Sequence, residues 1–222
     1  MSGVLYVVAT PIGNLEDITL RALRILKEVD VIACEDTRRT KILLDRYQIS
    51  KPLVSYHRHS GLPKIDQLLS ELASGKSIAL VTDAGTPGIS DPGGLLVKKA
   101  VEQNISVVPV PGVSALLAVA SVAGIAMDKF RFVGFLPHKK GREKIIKSIS
   151  ESDTPVIFYE SSHRILKTLL AFSGSGGYLV VGRELTKKFE EIVRGPAQEV
   201  FKHFQNQKIL GEFVIIFSPH NR

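Results

Sequence analysis

The sequence has 222 residues, enough for two small α/β domains or one large one. Hydrophobic residues make up 44% and charged residues 23%, so the composition excludes disordered and fibrous proteins. The formal net charge of +7 is uneven: residues 1–127 hold 13 basic and 12 acidic side chains, and residues 128–222 hold 16 and 10. The basic second half indicates an anionic partner, nucleic acid before others, or a solvated basic surface.

The single cysteine and the apolar runs bear on the cellular compartment. Cys34 lies in an apolar run without a second cysteine, which excludes a disulfide framework and fits a reducing cytosol. The N-terminal run Val4–Ala9 is too short for a signal-peptide core. The uncharged stretch Ile105–Met127 is long enough to span a bilayer, but Pro109 and Pro111 break it near its start. We therefore expect a cytoplasmic protein without a membrane segment.

In the first half, short apolar runs alternate with amphipathic stretches of helical period. The predicted strands are Val4–Ala9, Val31–Cys34, Val54–Tyr56, Ile78–Thr82 and Val107–Val110. The predicted helices between them are Thr19–Val29, Thr37–Tyr47, Pro63–Ser74 and Gly94–Gln103. Strands that are apolar throughout and joined by helices indicate a parallel sheet covered on both faces.

After Met127 the connecting segments become shorter and more charged. The predicted strands are Phe130–Gly134, Val156–Tyr159, Tyr178–Arg183 and Glu212–Phe217, and Glu190–Val193 is expected to form a hairpin with Tyr178–Arg183. We therefore expect a second α/β domain with a mixed sheet, so that the two domains cover residues 1–113 and 114–222.

Three loops rich in glycine and proline follow predicted strands of the first half. They are Thr10–Asn14, Val81–Gly93 and Pro109–Ala115. Ligands of doubly wound sheets bind at the C-terminal ends of the strands, where such loops let the main chain approach a ligand closely. Ordinary turn chemistry explains any one of the loops, but three at one edge predict a pocket.

The charge of the loop Val81–Gly93 indicates which ligand the pocket holds. The loop contains Asp83 and Asp91 and no lysine or arginine, so it would repel a phosphate. Carboxylates favour a ligand with positive charge and hydroxyl groups, and S-adenosylmethionine has both. We expect Asp83 to face the ligand and Asp91 to cap the helix that begins near Gly93.

Three charged clusters follow other predicted strands. Tyr159–Arg164 and Arg183–Glu191 each combine acids and bases at a strand end, as catalytic groups often do, although surface salt bridges are the plain alternative. Ala33–Lys41 also holds two acids and two arginines, and a capped helix start explains only part of it. His57 and His59 have no acidic or cysteine partner nearby, so we expect no metal site.

A series of long, ordered segments resembles one family. The segments are LYVVATPIGNLEDIT, CEDTRRTKILL, VTDAGTPGISDPG, VPGVSA, GFLP, and YESSHR followed by RELTK. From Val4 to about Ser218 the chain resembles the ribosomal RNA small subunit methyltransferase I family. The resemblance implies a tetrapyrrole methylase fold of two α/β domains, with S-adenosylmethionine in the cleft between them. It also implies a homodimer that methylates the ribose 2′-hydroxyl of a cytidine in the decoding centre of 16S rRNA, either free or in the 30S subunit.

The resemblance implies the cofactor contacts, and the charged clusters supply the candidates for the reaction and for RNA binding. The implied cofactor contacts are Pro11, Gly13, Asp83, Ala84, Gly85, Ile89, Val113, Ser114, Ala115 and Leu136. The polar machinery expected for the reaction consists of Glu160, His163, Arg164, Arg183, Glu184 and Lys187. Within it, Glu184 or His163 would act as the base, and the three cations would hold phosphates. The residues expected to grip RNA are Arg38, Arg39, Lys139, Lys140 and Arg142.

Two other functions remain compatible with the sequence. An enzyme of the same fold could methylate a porphyrin-like precursor, which is also anionic. A protein that kept the fold without the chemistry could bind RNA or assist assembly. The long matches EDTRRTK and RELTK favour the rRNA methyltransferase.

Overall fold

The computed structural model describes residues 2–57 and 60–219. Its contacts divide the chain into two compact units, Met1–Ser114 and Ala115–Arg222. Each unit has its own sheet and its own apolar core.

The first unit contains a parallel sheet, as the apolar runs predict. Its strands are β1 (Val4–Val8), β2 (Val31–Cys34), β3 (Leu53–Ser55), β4 (Ile78–Leu80) and β5 (Ser106–Val110). The spatial order is β3-β2-β4-β1-β5, and every pair of neighbours is parallel. Strand β1 therefore lies between β4 and β5, so the loops that follow these three strands leave the same edge of the sheet.

Four helices connect these strands. They are α1 (Leu20–Glu28), α2 (Thr37–Arg46), α3 (Gly61–Ala73) and α4 (Gly93–Glu102). The side chain of Thr19 caps α1 by accepting a hydrogen bond from the Ala22 N–H at 3.0 Å, and Asp36 caps α2 in the same way through the Arg38 N–H. The predicted helices are confirmed, with ends that differ by one or two residues.

Both faces of this sheet are buried. Leu5 of β1 packs into a cluster with Leu68 of α3 and Leu96 of α4, whereas Val8 packs on the opposite side with Leu26 of α1. The alternation follows from the two-residue repeat of a strand, which sends successive side chains to opposite faces. This burial explains why the strands read as apolar throughout.

The second unit contains a mixed sheet. Its elements are α5 (Ala115–Ser121), β6 (Arg131–Phe135), α6 (Arg142–Ser150), β7 (Val156–Ser161), α7 (Ile165–Phe172), β8 (Tyr178–Arg183), β9 (Glu191–Pro196), α8 (Ala197–Gln205) and β10 (Glu212–Ser218). The order is β6-β7-β10-β8-β9, in which only the β6–β7 pair of these neighbours is parallel. The predicted hairpin is confirmed, because β8 pairs with β9 in antiparallel fashion.

The uncharged stretch of the sequence is divided between a strand and a short helix. Strand β5 takes its first part, and α5 ends at Ser121, shortly before Gly124, whose φ is +73°. None of the helices described within residues 2–57 and 60–219 has the length and apolarity that a membrane crossing requires.

Candidate functional site

The three glycine- and proline-rich loops of the first unit are joined by hydrogen bonds. The main-chain N–H groups of Thr10 and Gly85 each donate to the other residue's carbonyl at 2.9 Å. The Thr86 hydroxyl donates to the Val113 carbonyl at 3.3 Å, which ties the loop after β4 to the loop after β5. The three loops that the sequence predicts to form a pocket are therefore joined at one edge of the sheet.

Glycine is required at two places where these loops approach one another. Gly85 has a φ of +84°, a conformation that other residues adopt at a cost. A Cβ at Gly112 would lie 3.0 Å from the Cβ of Ala9, which is closer than side chains normally pack. The close approach leaves mainly main-chain groups and small side chains at the surface of the loops.

The exposed residues of these loops are mostly small or apolar. Gly13 and Ala84 are exposed, Ile89 is 45% exposed, and no lysine or arginine lies within residues 81–93. Pro11 and Gly85 are buried, so they fix the course of the loops and offer little surface to a ligand. These residues offer a ligand main-chain polar groups and an exposed isoleucine.

Both aspartates of the loop after β4 have partners inside the unit. Asp83 accepts a hydrogen bond from the Asp36 N–H at 3.1 Å, and its other oxygen lies 3.4 Å from the Arg39 guanidinium. Asp91 accepts from the N–H groups of Gly88 and Gly93, each at 2.7 Å, and so closes the loop at the start of α4. The negative charge of Asp83 is thus matched by Arg39, and loop charge alone does not identify the ligand.

One buried oxygen near these loops lacks a donor. Asp17, in the short helical turn after β1, has a carboxylate oxygen that is buried without a hydrogen-bond partner among the described residues. Buried acceptors are normally satisfied, so this oxygen needs a hydrogen bond from a water molecule or from a ligand hydroxyl or ammonium group. Asp17 was not among the predicted site residues.

A small cavity lies beside the loops, at the start of α2. Its volume is about 60 Å³, and it is lined by Thr10, Pro11, Leu15, Arg39, Thr40, Leu43, Thr82 and Asp83. Ligand pockets generally enclose about 300–1,000 Å³, so this cavity by itself would enclose only part of a cofactor. It lies next to the Arg39–Asp83 pair.

The two arginines at the start of α2 are exposed but paired. Arg38 forms hydrogen bonds with both carboxylate oxygens of Asp36, at 3.0 and 2.6 Å. These bonds, with that from the Arg38 N–H, hold the pKa of Asp36 well below its usual range. Because Arg39 is similarly paired with Asp83, RNA contact by either arginine requires competition with an acid of the same unit.

In the second unit, the sheet register brings two of the predicted clusters to one edge. Phe213 of β10 pairs with Glu160 of β7 on one side and with Arg183 of β8 on the other. Glu160 and Arg183 are therefore two interstrand spacings apart, or about 10 Å. The Arg183 guanidinium lies 5.8 Å from the centre of the Phe213 ring between them.

Glu160 is the centre of a buried polar network. It is 1% exposed, and one of its oxygens lies 3.2 Å from the Arg142 guanidinium and accepts from the Thr168 hydroxyl at 2.8 Å. The other oxygen lies 2.8 Å from Arg164 and accepts from the Ser161 N–H. Both oxygens are occupied inside the unit, so the geometry gives Glu160 a positioning function and leaves no lone pair directed at a substrate.

The same network holds the main chain of GFLP. Arg164 donates to the Leu136 carbonyl at 2.7 Å, and Arg142 donates to the Pro137 carbonyl at 3.2 Å. Leu136 is 1% exposed and belongs to the apolar core, so it can offer a ligand only main-chain atoms. Arg142 was expected to bind RNA, but it is 6% exposed and its guanidinium is used within the unit, so this residue does not present a charge to RNA.

Glu184 and Lys187 form a second network, at the start of β10. The Lys187 ammonium donates to Glu184 and Glu212, each at 2.9 Å, and Glu184 also accepts from the Glu212 N–H. Burial favours the protonated form of Glu184, but these hydrogen bonds outweigh it and lower its pKa. Burial likewise opposes the charge of Lys187, but its two carboxylate partners raise its pKa.

Arg183 also has a structural function. Its guanidinium donates to the carbonyls of Leu210 and Lys208 and lies 3.5 Å from a Glu191 oxygen. These contacts join β8 to the chain before β10 and to β9. Three of the expected phosphate-holding cations, Arg164, Arg183 and Lys187, therefore have protein partners.

The remaining polar candidates are exposed. His163 lies in the turn between β7 and α7 and is exposed, and its ring has no hydrogen-bond partner within residues 2–57 and 60–219. Lys139 and Lys140 are exposed in the turn that precedes α6, where the same part of the chain offers them no ion pair. These three side chains can bind a ligand without first breaking a hydrogen bond or an ion pair within the described part of the protein.

Metal-ligating side chains do not cluster in the part of the chain that the structure describes. No group of three or more histidine, cysteine, aspartate or glutamate residues there is placed so that it could hold a metal ion. His59 lies outside the described residues.

Comparison with known proteins decides the family. Residues 4–200 match the sequence profile of the family described as Tetrapyrrole (Corrin/Porphyrin) Methylases. A Thermotoga maritima protein named Ribosomal RNA small subunit methyltransferase I is 45% identical over 219 residues, which cover 97% of this chain and 98% of the relative. The chain belongs to the ribosomal RNA small subunit methyltransferase I family.

Other relatives agree with this family, and solved structures agree with the fold. Methyltransferase I proteins of Synechocystis and Bacillus subtilis are each 46% identical, and the matches cover 97% and 99% of this chain and 79% and 76% of the relatives. Diphthine synthase has a TM-score of 0.75 at 16% identity, covering 97% of this chain and 90% of that one. A cobalt precorrin-4 methyltransferase has a TM-score of 0.72 at 19% identity, covering 97% and 94%. These structures confirm the predicted fold.

In this methyltransferase I chain, the structure adds residues that sequence reasoning missed. Thr168 and Glu212 complete the two networks, and Asp17 carries the unsatisfied oxygen. Thr168 lies one helical turn after Arg164, a spacing that could have indicated a shared face of α7. For Glu212 the signal is the strand register, which is not visible in the sequence.

Proposed function

We propose that this protein transfers the methyl group of S-adenosylmethionine to the ribose 2′-hydroxyl of a cytidine in the decoding centre of 16S rRNA. The observation that carries the proposal is membership of the methyltransferase I family, with 45% identity over nearly the full length of the Thermotoga maritima relative. A uroporphyrin-III C-methyltransferase with a TM-score of 0.67 was solved with S-adenosylhomocysteine, the demethylated product of this cofactor, which supports a cofactor site in the same fold.

The loops of the first unit would hold the cofactor. S-adenosylmethionine supplies an electrophilic methyl group on a sulfonium, so the protein mainly aligns the reacting groups and removes a proton. The implied contacts in this unit are Pro11, Gly13, Asp83, Ala84, Gly85, Ile89, Val113 and Ser114. Asp83, held by Arg39 and the Asp36 N–H, would orient ligand hydroxyl groups with any lone pair left to it. Ala115 and the main chain of Leu136 are the implied contacts in the second unit.

His163 is the better of the two candidates for the base. Histidine is the commonest general base in enzymes. Its ring is exposed, whereas the Glu184 carboxylate is held by Lys187 and the Glu212 N–H and has a lowered pKa, which weakens it as a base. The other members of the polar machinery would then hold the end of the sheet in place beside the reacting groups. They are Glu160, Arg164, Arg183, Glu184 and Lys187.

The surface that would grip RNA is smaller than the sequence suggests. Lys139 and Lys140 are exposed without a described ion pair, and they are the first choice for phosphate contacts. Arg38 and Arg39 are exposed and could exchange their acidic partners for phosphates. We further propose, on the basis of the family resemblance, that the enzyme acts in the cytoplasm as a homodimer. Its substrate would be 16S rRNA, either free or within the 30S subunit.

The test is methyl transfer to defined substrates. The protein is incubated with radiolabelled S-adenosylmethionine and with 30S subunits, or free 16S rRNA, from a strain that lacks the modification. Label in the decoding-centre cytidine, located by nuclease digestion and mass spectrometry, is the expected result. Fully modified 30S subunits serve as the control, because they offer no free 2′-hydroxyl at the target.

Two other outcomes would contradict the proposal. Label in a porphyrin precursor and none in RNA would assign the chain to small-molecule methylation. RNA binding without methyl transfer or cofactor binding would indicate a non-catalytic RNA-binding protein. Gel filtration with light scattering tests the homodimer independently of activity.

A further inference from the structure

Phe135 is an aromatic side chain held in an exposed position. It ends strand β6 and is 54% exposed, although it is large and apolar. Its ring lies 5.3 Å from the ring of Tyr159, at an interplanar angle of 54°. Tyr159 also contacts Phe132 edge-on at 5.2 Å. Phe135 is therefore supported from one side and open on the other.

A bulge in β6 creates this arrangement. Residues three apart in a regular strand point to opposite faces, so Phe132 and Phe135 would not both reach Tyr159. The β6–β7 register shifts between Phe132 and Phe135, and Gly134 has a φ of +66°. Bulges re-aim side chains and are common beside functional sites. The backbone is thus shaped to bring Phe135 onto Tyr159.

The main chain that follows Phe135 is also held in place by hydrogen bonds. Arg164 donates to the carbonyl of Leu136, the next residue, and Arg142 donates to the carbonyl of Pro137. Both arginines contact the buried Glu160. An exposed ring on a fixed backbone loses little conformational freedom when a ligand stacks on it, so this ring is suited to binding.

The charges near Phe135 indicate the kind of ligand. Lys139 and Lys140 follow it by four and five residues and are exposed in the turn before α6. An open aromatic face beside cations is typical of sites for single-stranded nucleic acid, where bases stack and phosphates meet the cations.

We propose that Phe135 is a stacking platform for an unpaired nucleobase of the rRNA substrate, with Lys139 and Lys140 holding the adjoining phosphates. The proposal rests on the proposed function, because it takes rRNA as the ligand. Sequence-specific recognition of RNA commonly uses unstacked bases on aromatic side chains. Because Phe135 is part of the segment GFLP, the platform would hold the substrate strand at that segment.

The experiment compares four variants in the full-length protein. Phe135→Ala and Phe135→Leu remove the aromatic ring, Phe135→Tyr keeps it, and Leu170→Ala removes a side chain of similar exposure, 56%, elsewhere in the unit. Filter binding gives the affinity for 16S rRNA and for 30S subunits, methyl transfer gives kcat and KM, and calorimetry gives the affinity for S-adenosylhomocysteine. Light scattering gives the oligomeric state.

We expect RNA affinity to fall by about 5- to 150-fold in Phe135→Ala, the range that loss of one stacked base corresponds to. Phe135→Leu should show a similar loss, and Phe135→Tyr and Leu170→Ala should bind as the wild type does. Affinity for S-adenosylhomocysteine should not change in any variant. The lost RNA affinity should appear in KM more than in kcat.

Several results would overturn the platform. Unchanged RNA affinity in Phe135→Ala would do so, as would a loss confined to S-adenosylhomocysteine or a change of oligomeric state without an RNA defect. If the wild type binds rRNA but transfers no methyl group to it, the proposed function fails. Filter binding of the Phe135 variants still tests whether Phe135 stacks on a base. If the wild type methylates rRNA and Phe135→Ala binds normally, only the platform fails.

Discussion

At the scale of single residues, partners decide which polar side chains are available for chemistry. Glu160, Arg142 and Arg183 all have polar partners inside the second unit, and their charges stabilise its structure. His163 is exposed without a described partner for its ring. The position of a charged residue at a strand end therefore does not show that it is catalytic, because its hydrogen bonds within the protein can occupy its charge.

Replacing His163 by alanine tests its assignment as the base. General bases contribute roughly 10²- to 10⁴-fold to rate, so kcat should fall by a factor in that range. Affinity for S-adenosylhomocysteine should be retained, because the residue lies outside the loops of the first unit. Single-turnover methyl transfer and calorimetry provide the two measurements.

The matched comparison is Glu184→Gln, which keeps the shape of the side chain. It should retain most of its turnover if the carboxylate serves only to hold Lys187 and the Glu212 N–H. A large kcat loss in Glu184→Gln combined with normal turnover in His163→Ala would reverse the assignment of the base.

Gly85 tests the importance of main-chain geometry in the candidate cofactor site. Its φ of +84° strains any residue with a Cβ, so Gly85→Ala should cost about 1–2 kcal/mol of unfolding free energy. The change should also weaken S-adenosylhomocysteine binding, since the loops after β1 and β4 meet at this residue. Urea denaturation and calorimetry measure the two effects.

Gly94→Ala is the control for this substitution. Gly94 lies in the first turn of α4, where a new Cβ would meet no atom within 4 Å. Because alanine favours helices over glycine, this variant should be neutral or slightly more stable. Equal losses of stability in the two variants would mean that the positive φ of Gly85 is not the cause.

At the scale of elements, ion pairs hold the turn after β8 against the start of β10. Glu184 has a lowered pKa, so it contributes stability above its unfolded value near 4.5, and that stability is lost as the pH falls through its folded value. Lys187 has a raised pKa, so its contribution is complete below 10.5 and is lost as the pH rises through its folded value. The pair should therefore stabilise the unit fully between these limits.

Lys187→Met tests this pH window. The variant should be less stable than the wild type at pH 7, because Glu184 and Glu212 lose their shared partner. The difference should shrink below about pH 4, where the carboxylates become protonated. Thermal unfolding from pH 3 to 9 measures it, with Lys27→Met as a surface control; a difference that does not vary with pH would contradict the ion-pair explanation.

The same scale shows where sequence patterns were sufficient for the fold. Buried strands such as β2 are apolar throughout because both faces of the sheet are covered, so their runs could be recognised directly. The bulge in β6 could not be recognised, because Gly134 has no signal that separates it from an ordinary strand glycine. Its effect depends on the pairing with β7.

At the scale of the whole molecule, charge should govern how the protein meets RNA. The chain carries a net charge of +7, and the excess lies mainly in residues 128–222. Binding to rRNA should weaken steeply as salt rises, because each neutralised phosphate releases counterions. A flat salt dependence would contradict an RNA substrate.

A double substitution tests whether Lys139 and Lys140 contribute to the salt dependence of RNA binding. Lys139→Ala with Lys140→Ala should reduce the slope of log K against log salt by about 1.4, since each contact with a single strand contributes about 0.7. Filter binding between 50 and 200 mM salt measures the slope. Lys98→Ala with Lys99→Ala on α4 is the charge-matched control, and an equal change there would show that only net charge matters.

The sequence by itself determined the family, the two α/β units, the parallel and mixed sheets and the three loops of the candidate cofactor site. These features are local patterns: apolar periodicity, glycine and proline in turns, and long ordered motifs. The tertiary structure alone decided that Asp83 is paired with Arg39, that Arg142 is buried against Glu160, and that Phe135 is supported by Tyr159. Each of these facts depends on contacts between segments distant in the chain, because burial and pairing set the availability of a charge or a ring.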